Sequence, residues 1–424
     1  MSEHVFAGFG FGPIQAGLFA KEAFQSGNFR RIIVAEIDQR LVNAVRSNRG
    51  TYYINVAGSD GIETVRIDGV ELFNPTNPSD SAALRATISE ATEITTCLPS
   101  INFFDSDPTN GVAALIAEGL RHRRGDAAII YAAENHNHAA EILEQAVTQR
   151  LGAALPPRVQ FLNTVIGKMS QVVNGPREIA ERNLAAIVPG IDRAFLVEEF
   201  NRILVTRTTI PGFVPGIEVF IEKADLLPFE EAKFYGHNAI HALLGFIGLL
   251  KGYGRMTEIK NDARVMRVAR EAFIAESGWA LIRKHASLGD ELFTEAGYRH
   301  YAEDLLERMT NPYLADTPAR AARDVIRKLG VNDRIYGTMA LAIEHGIEPR
   351  NVAVGAMAGV ALLLANAADH GLPHELHSLD WRTLDTDSLT QVLRFLWNSP
   401  TSPALRKLAD CTCRAGESLA GLLP

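Results

Sequence analysis

Short β-rich runs alternate with helical stretches through the first half of the chain. His4 to Ala7 reads as a strand, a Gly-rich turn follows, and Ile14 to Ala23 has helical composition. Arg31 to Glu36 is a buried-strand pattern, and Gln39 to Ser47 carries helical periodicity. Glu93 to Leu98, Ala127 to Ala132 and Val159 to Thr164 continue the scheme. Strands alternating with helices predict βαβ units and a parallel, doubly wound sheet. Tyr52 to Val56 and Gly69 to Phe73 read instead as antiparallel additions.

After about residue 208 the pattern changes to helix upon helix: Phe229–Leu250, Lys260–His285, Glu291–Met309, Pro318–Leu329, Asp333–His345, Pro349–Ala367 and Leu389–Trp397. Pro211-Gly212 and Pro215-Gly216 punctuate the change, which suits a boundary or hinge. The fold class predicted is α/β plus all-α: a doubly wound sheet over 1–208, then an all-helical domain over 209–424. The chain shows neither an internal repeat nor a low-complexity tract.

Composition narrows the partners. The 424 residues are 47% hydrophobic and 22% charged, enough apolar material for two cores of ordinary size. A formal net charge of −8 argues against a nucleic-acid surface, which needs clustered Lys and Arg. No apolar run reaches the roughly 18 residues of a membrane span. The opening Met-Ser-Glu-His-Val leads straight into a strand pattern, so no signal peptide is expected. Three cysteines (Cys97, Cys411, Cys413), without a Cys-x-x-Cys pair, point to a reducing compartment and no zinc site. The expected location is cytoplasmic.

The turn after the first strand, Ala7-Gly8-Phe9-Gly10-Phe11-Gly12-Pro13-Ile14, suits a dinucleotide pyrophosphate. Glycines permit a tight turn and close backbone approach, and the following helix start supplies oriented N–H groups. The Gly-x-Gly-x-x-Gly spacing is not met, because Pro13 stands in the third place counted from Gly8. Glu36, at the end of the second strand, stands where a ribose-binding carboxylate belongs and favours NAD over NADP. Arg40 nearby keeps that preference open, and a structural strand–turn–helix without a ligand is the alternative.

The helix-like run from Phe229 to Gly248 carries Lys233, Asn238 and His241. At roughly 100° per residue, the three fall within an arc of about 140°. A base, an amide and an imidazole on one face suit removal of a hydroxyl proton and stabilisation of the oxygen left behind. A half-exposed helix with three unrelated polar residues, a snorkelling Lys233 or a core His241 would share the spacing. To act as a base Lys233 must be neutral, so burial or a nearby cation must lower its pKa. Leu243, Leu244 and Phe246 offer burial, whereas Glu230 and Glu231 would oppose it. His136 and His138 lack an accompanying ligand pattern for a metal.

The Gly-rich turn, the Lys-x4-Asn-x2-His helix and the segment Arg308-Met309-Thr310-Asn311-Pro312-Tyr313-Leu314-Ala315-Asp316, continuing through Arg323–Leu329 to Asp333-Arg334, resemble the polyol-specific long-chain dehydrogenases, the mannitol dehydrogenase family. The resemblance spans nearly the whole chain. It implies a Rossmann-type domain followed by an all-helical one, and metal-independent, reversible hydride transfer between NAD and a secondary alcohol of a sugar alcohol or its phosphate. It assigns Lys233 as general base, Asn238 as oxyanion-holding amide and His241 as substrate-positioning imidazole. Asn135, in the Glu134-Asn135 pair after a strand, becomes a second oxyanion donor. Gly8, Gly10, Phe11, Gly12, Pro13, Ile14 and Glu36 take the cofactor.

The chain departs from the family at Gly167-Lys168-Met169, where an Asp-Arg pair is usual, and at Phe200–Val205, which lacks a Trp and an acidic residue. Arg202, Lys168, Arg323 and Arg327 are candidates for a substrate phosphate or carboxylate. Ion pairing of the Arg308, Arg323, Arg327 and Lys328 group with Asp316, Asp324 and Asp333 is the alternative. A sugar-acid reductase of the same family and a catalytically silent NAD-sensing protein are the rival functions. A monomer or small homo-oligomer is expected.

Overall fold

The computed structural model describes residues 4–424. Residues 1–3, on which the expectation about a leader partly rests, lie outside the described residues. Twelve strands form among the described residues: β1 (His4–Phe9), β2 (Phe29–Ala35), β3 (Tyr52–Ala57), β4 (Ile62–Ile67), β5 (Val70–Phe73), β6 (Glu93–Thr96), β7 (Ala128–Ala132), β8 (Val159–Ile166), β9 (Ser170–Asn174), β10 (Arg193–Glu198), β11 (Ile203–Thr206) and β12 (Phe220–Lys223). The main sheet has the order β12-β11-β8-β7-β6-β1-β2-β5 and is parallel from β8 to β5. β11 joins β8 antiparallel, and β12 joins β11 parallel. The chain runs outward from β1 through β2 to β5, then returns to β6 on the other side of β1. That reversal is a topological switch point, where the strand ends open a crevice.

The unbroken apolar runs of β1, β2 and β7 follow from burial on both faces. Phe6, Ile32, Val34 and Tyr131 enter one core, and Val5, Ala7, Phe9, Ile33 and Ile130 enter the other. A second sheet, β4-β3-β10-β9, completes the first of these cores through Ile54, Val56, Phe195 and Val197. Gly17, on the helix after the Gly-rich turn, lets that helix lie against β10, since a Cβ there would come within 2.6 Å of Val197.

Two sequence expectations change here. Gly69–Phe73 is not an antiparallel addition: β5 pairs parallel with β2, Ile32 opposite Val70. The β3–β4 hairpin reverses the chain once more, so β5 comes back in the direction of β2. β3 pairs antiparallel with β4 as read, but also parallel with β10.

Contacts divide the chain into two compact units, Met1–Leu227 and Pro228–Pro424. The pairing of β12 with β11 carries the first unit past residue 208. The described residues of the second unit hold helices and no strand. The run read as Lys260–His285 comprises Ala263–Glu271, a π-helical stretch Ala272–Gly278 and Trp279–His285. Pro318–Leu329 is broken into Pro318–Ala322 and Val325–Lys328 by Asp324, whose φ of +62° no helix tolerates. Helices at Pro403–Arg414 and Gly416–Leu422 close the chain.

The helix Ala239–Leu250 is buried along most of its length. Gly245 is the point of closest approach: a Cβ there would meet Ala321 Cβ at 2.7 Å and the Ala321 backbone at 2.8 Å. Among the described residues no helix is long and apolar enough to cross a membrane.

Candidate functional site

In the first unit the nucleotide candidates gather at the carboxyl ends of β1 and β2. Gly10 has φ +80°, a conformation open to glycine, and its Cβ would strike the Cys97 carbonyl at 2.9 Å. Around Gly12 a Cβ would meet nothing within 4 Å, so the backbone there is approachable. Pro13 opens the following helix, whose π-helical stretch Gln15–Phe19 runs into Ala20–Ser26. Phe11 contributes its backbone alone, because its ring is buried against Tyr52 and Phe195.

Glu36 is fixed by its neighbours. One carboxylate oxygen accepts Phe11 N–H at 2.9 Å and the other accepts Asp38 N–H at 2.8 Å. Arg40 turns aside, donating from Nη2 to the Gly190 carbonyl at 2.9 Å.

Asn135 stands exposed just beyond β7. The buried Glu134 carboxylate before it accepts from the Thr96 hydroxyl and from Leu98 N–H, both at 2.8 Å. Burial holds the Glu134 carboxyl above its usual range, against the pull of those donors. Lys168 is buried, its Nζ donating to Phe200 O at 2.8 Å and Asn201 Oδ1 at 2.6 Å. Arg202 is exposed two residues after Phe200.

In the second unit Lys233 and Asn238 lie on a π-helical stretch, Ala232–Asn238, which runs directly into the helix bearing His241. Five residues separate Lys233 from Asn238, which is the hydrogen-bond spacing of a π-turn. The widened turn therefore brings them closer to one face than α geometry would. Desolvation lowers the Lys233 amine to about 8, opposed by Glu230 and assisted by Arg334. Glu231 is engaged elsewhere, by Lys284 Nζ at 2.8 Å and His285 Nε2 at 2.7 Å.

His241 Nε2 pairs with Asp316 Oδ2 at 2.9 Å, and Arg320 grips the same carboxylate through Nε and Nη2 at 2.5 and 2.7 Å. Buried His237 is held well below the ordinary histidine range, first by desolvation and then by His241, Arg308, Lys233 and Arg334. Arg334 sits over the Phe234 ring at 5.4 Å and donates from Nε to Asp333 at 2.8 Å. Lys328 is buried against the Ala321 carbonyl, and burial followed by Arg334 lowers it to about 8. Arg323 and Arg327 are exposed and lie within 3.7 and 3.6 Å of Asp324. They line an open surface pocket with Leu249, Leu362 and His370.

Each unit thus gathers its own set: the glycines, Glu36 and Asn135 at strand ends, and Lys233, Asn238 and His241 on one helix. Sequence reasoning assigned no role to Arg334 or His237, and it named Asp316 only as an ion-pair partner for arginines. Asp316 lies 75 positions from His241, beyond any local periodicity.

The model of the mannitol dehydrogenase C-terminal domain matches residues 225–391, which include the whole Lys-Asn-His helix and the Asp316–Arg334 segment. A mannitol-1-phosphate 5-dehydrogenase of Buchnera aphidicola subsp. Acyrthosiphon pisum (strain Tuc7) is 28% identical over 357 residues, covering 82% of this chain and 83% of the relative. Residues 225–391 thus carry the mannitol dehydrogenase C-terminal domain. The fold agrees with that of solved structures. A Pseudomonas fluorescens mannitol 2-dehydrogenase, solved as a ternary complex with NAD and D-mannitol, superposes with a TM-score of 0.68 at 17% identity, covering 99% of this chain and 92% of that one. A substrate-free D-sorbitol dehydrogenase gives a TM-score of 0.69 at 16% identity, covering 96% and 95%. The α/β plus all-α architecture read from the sequence is the fold these structures share.

Proposed function

We propose that this protein is a member of the mannitol dehydrogenase family, an NAD-dependent oxidoreductase that reversibly transfers hydride between NAD and a secondary alcohol of a polyol or polyol phosphate. One observation carries the reading: a lysine lowered to about 8, on the same helix face as an amide and beside a histidine locked by a buried carboxylate. An amine lowered that far is partly neutral near pH 7.5 and accepts a hydroxyl proton.

The residues present suit the dinucleotide. Gly10 and Gly12 leave the backbone open, and the helix after Pro13 supplies oriented N–H groups for a pyrophosphate. Each oxygen of Glu36 uses one lone pair on a backbone N–H and keeps another for a ribose hydroxyl. With Arg40 committed to Gly190, the carboxylate favours NAD over NADP. Held there, the dinucleotide would supply a hydride acceptor for the alcohol carbon. Lys233 takes the hydroxyl proton, and Asn238 donates to the developing alkoxide, a donor of that kind contributing roughly 3 kcal/mol. His241, fixed by Asp316, orients a substrate hydroxyl.

A phosphorylated substrate is supported by the cations that bear on this face, Arg308 and Arg334, whose fields hold His237 down, and by Lys328, on which Arg334 also acts. Mannitol 1-phosphate, interconverted with a fructose-6-phosphate-like ketose, suits such a face. The same cations suit a carboxylate, so a sugar-acid reductase is the second reading. A panel of mannitol 1-phosphate, free mannitol, arabinitol and altronate, followed at 340 nm with NAD and with NADP, separates the two. Turnover confined to altronate selects the second reading, and cofactor binding without turnover on a wide polyol panel rejects both.

A further inference from the structure

Three helices of the described residues contain a π-helical stretch, and two of them carry the proposed chemistry: Gln15–Phe19 after the Gly-rich turn and Ala232–Asn238 bearing Lys233. A widened turn diverts an amide from its α-helical partner, and the carbonyl passed over must find another donor. In the first helix Ala20 N–H bonds to Gln15 O instead of Ala16 O. The vacated Ala16 carbonyl receives the buried Tyr52 hydroxyl at 2.7 Å. In the second, where the wide turn gives way to the α-helix, Ala239 N–H bonds to Gly236 O, three residues back, and not to its α-helical partner Tyr235 O.

The Tyr235 carbonyl is met by two buried hydroxyls. Ser277 Oγ lies 2.9 Å from it, with Tyr298 Oη a further 3.4 Å away. Thr338 Oγ1 reaches it at 3.1 Å while standing 2.5 Å from Arg334 O, so its single proton is shared. Ser277 is the better donor. It sits on the third π-helical stretch, Ala272–Gly278, and Gly236 lets the two stretches close, since a Cβ there would lie 2.7 Å from Phe273 and from the Tyr298 hydroxyl.

We propose that Ser277 is a positioning residue, its hydroxyl holding the widened turn that keeps Lys233 and Asn238 on the face of His241. The consequence follows from helix arithmetic. Residues five apart stack over a π-turn but stand about 140° apart on an α-helix. Loss of the hydroxyl leaves the Tyr235 carbonyl short of a donor in a dry site. The cheapest repair is for Ala239 N–H to move from Gly236 O to Tyr235 O, which shifts the hydrogen-bond register of the stretch towards the α-helix and swings Lys233 away from Asn238. That this matters for catalysis rests on the reading of Lys233 as the base. The geometric effect on Lys233 does not.

The test is Ser277→Ala in the full chain, with two independent readouts. The pH dependence of Lys233 acylation by acetic anhydride, followed by peptide mass spectrometry, reports the environment of the amine whether or not it is catalytic. Steady-state kinetics report the reaction. We expect the acylation midpoint to move by about half a pH unit or more towards that of an ordinary lysine. We also expect kcat to fall roughly 10- to 100-fold with KM for NAD unchanged, the size typical of a misplaced group. A midpoint unmoved in a folded variant overturns the proposal, whatever the activity. A moved midpoint with unchanged kcat upholds Ser277 as the holder of the turn and removes Lys233 as the base. Should Ser277→Ala fail to fold, Ser277→Cys replaces the hydroxyl by a weak donor at nearly constant shape and decides by the same midpoint.

Discussion

His241 and Asp316 are joined at 2.9 Å, and the carboxylate that does the joining is itself clamped by Arg320. Burial alone would raise Asp316, but the hydrogen bonds from His241 and Arg320 hold it well below the usual carboxylate range. The Asp316 carboxylate can only accept, so the bond places a proton on Nε2 and fixes the orientation of the ring. Asp316→Asn keeps the shape and removes the charge. It should lower kcat roughly 10- to 100-fold, less than the about 10⁴ seen where a histidine itself carries the reacting proton. Steady-state assays of the variant check this, and an unchanged kcat would show that the His241 orientation is immaterial.

Lys233 titrates near pH 8, so in the direction of alcohol oxidation kcat should rise with pH through a midpoint near 8 and then level. Lys233→Ala should cut turnover 100-fold or more and abolish that rise while NAD binds as before, given the ~10²–10⁴ contribution of a positioned base. Undiminished turnover would remove the lysine from the mechanism.

The same shift has a consequence for stability. Between about 8 and 10.5 the unfolded chain binds the Lys233 proton and the folded chain does not, so folded stability rises with pH across that window. Lys233→Met should therefore be more stable than the parent below pH 8, by at most about 3 kcal/mol. The gain should shrink to nothing near pH 10.5. Urea melts of both proteins at pH 7 and pH 10 measure it.

Glu93 runs with the opposite sign. It is fully buried at the start of β6, accepts Gly216 N–H at 2.5 Å, and burial pushes it up to about 8. The folded chain retains this proton between about 4.5 and 8 where the unfolded chain releases it, so the Glu93 contribution is complete below 4.5 and lost as pH rises through 8. Glu93→Gln keeps an acceptor for Gly216 and should flatten the decline. A variant that declines as steeply as the parent between pH 5 and 8.5 would place the titration elsewhere.

Glu36→Ala should erase the preference for NAD over NADP, because the carboxylate that repels a 2′-phosphate is gone. It should also cost roughly 1–3 kcal/mol of stability, since Phe11 N–H and Asp38 N–H lose their acceptor. Catalytic efficiencies with both cofactors and a thermal melt separate the two effects. A parent enzyme favouring NADP would defeat the assignment at once.

The parallel sheet was readable because β1, β2 and β7 are apolar on both faces, and a strand buried on both sides leaves a continuous run. The second sheet was not, since β4 and β9 are half exposed and the pairing that joins its halves, β3 with β10, is far apart in the chain. Lys233, Asn238 and His241 were legible as one helix face, yet the assumption of regular α geometry hid the π-stretch that aligns two of them. Hydrogen-bond register has no signature in hydrophobic periodicity. The arginine candidates show the limit of charge counting: Arg323 and Arg327 stand near Asp324 on an open surface, whereas Arg334, in an ordinary Asp-Arg pair, is the cation whose field reaches Lys233.

Gly245 offers a lever on this chemistry without touching a polar group. The missing methyl there lets the helix of His241 rest on Ala321, one residue beyond the arginine that clamps Asp316. A single added carbon would act as a shim, lifting the anion-bearing segment off the imidazole by a fraction of an ångström. The intimacy of the two backbones, more than the identity of any ionised side chain, is what makes the histidine's grip on its carboxylate partner a fixed dimension of the protein.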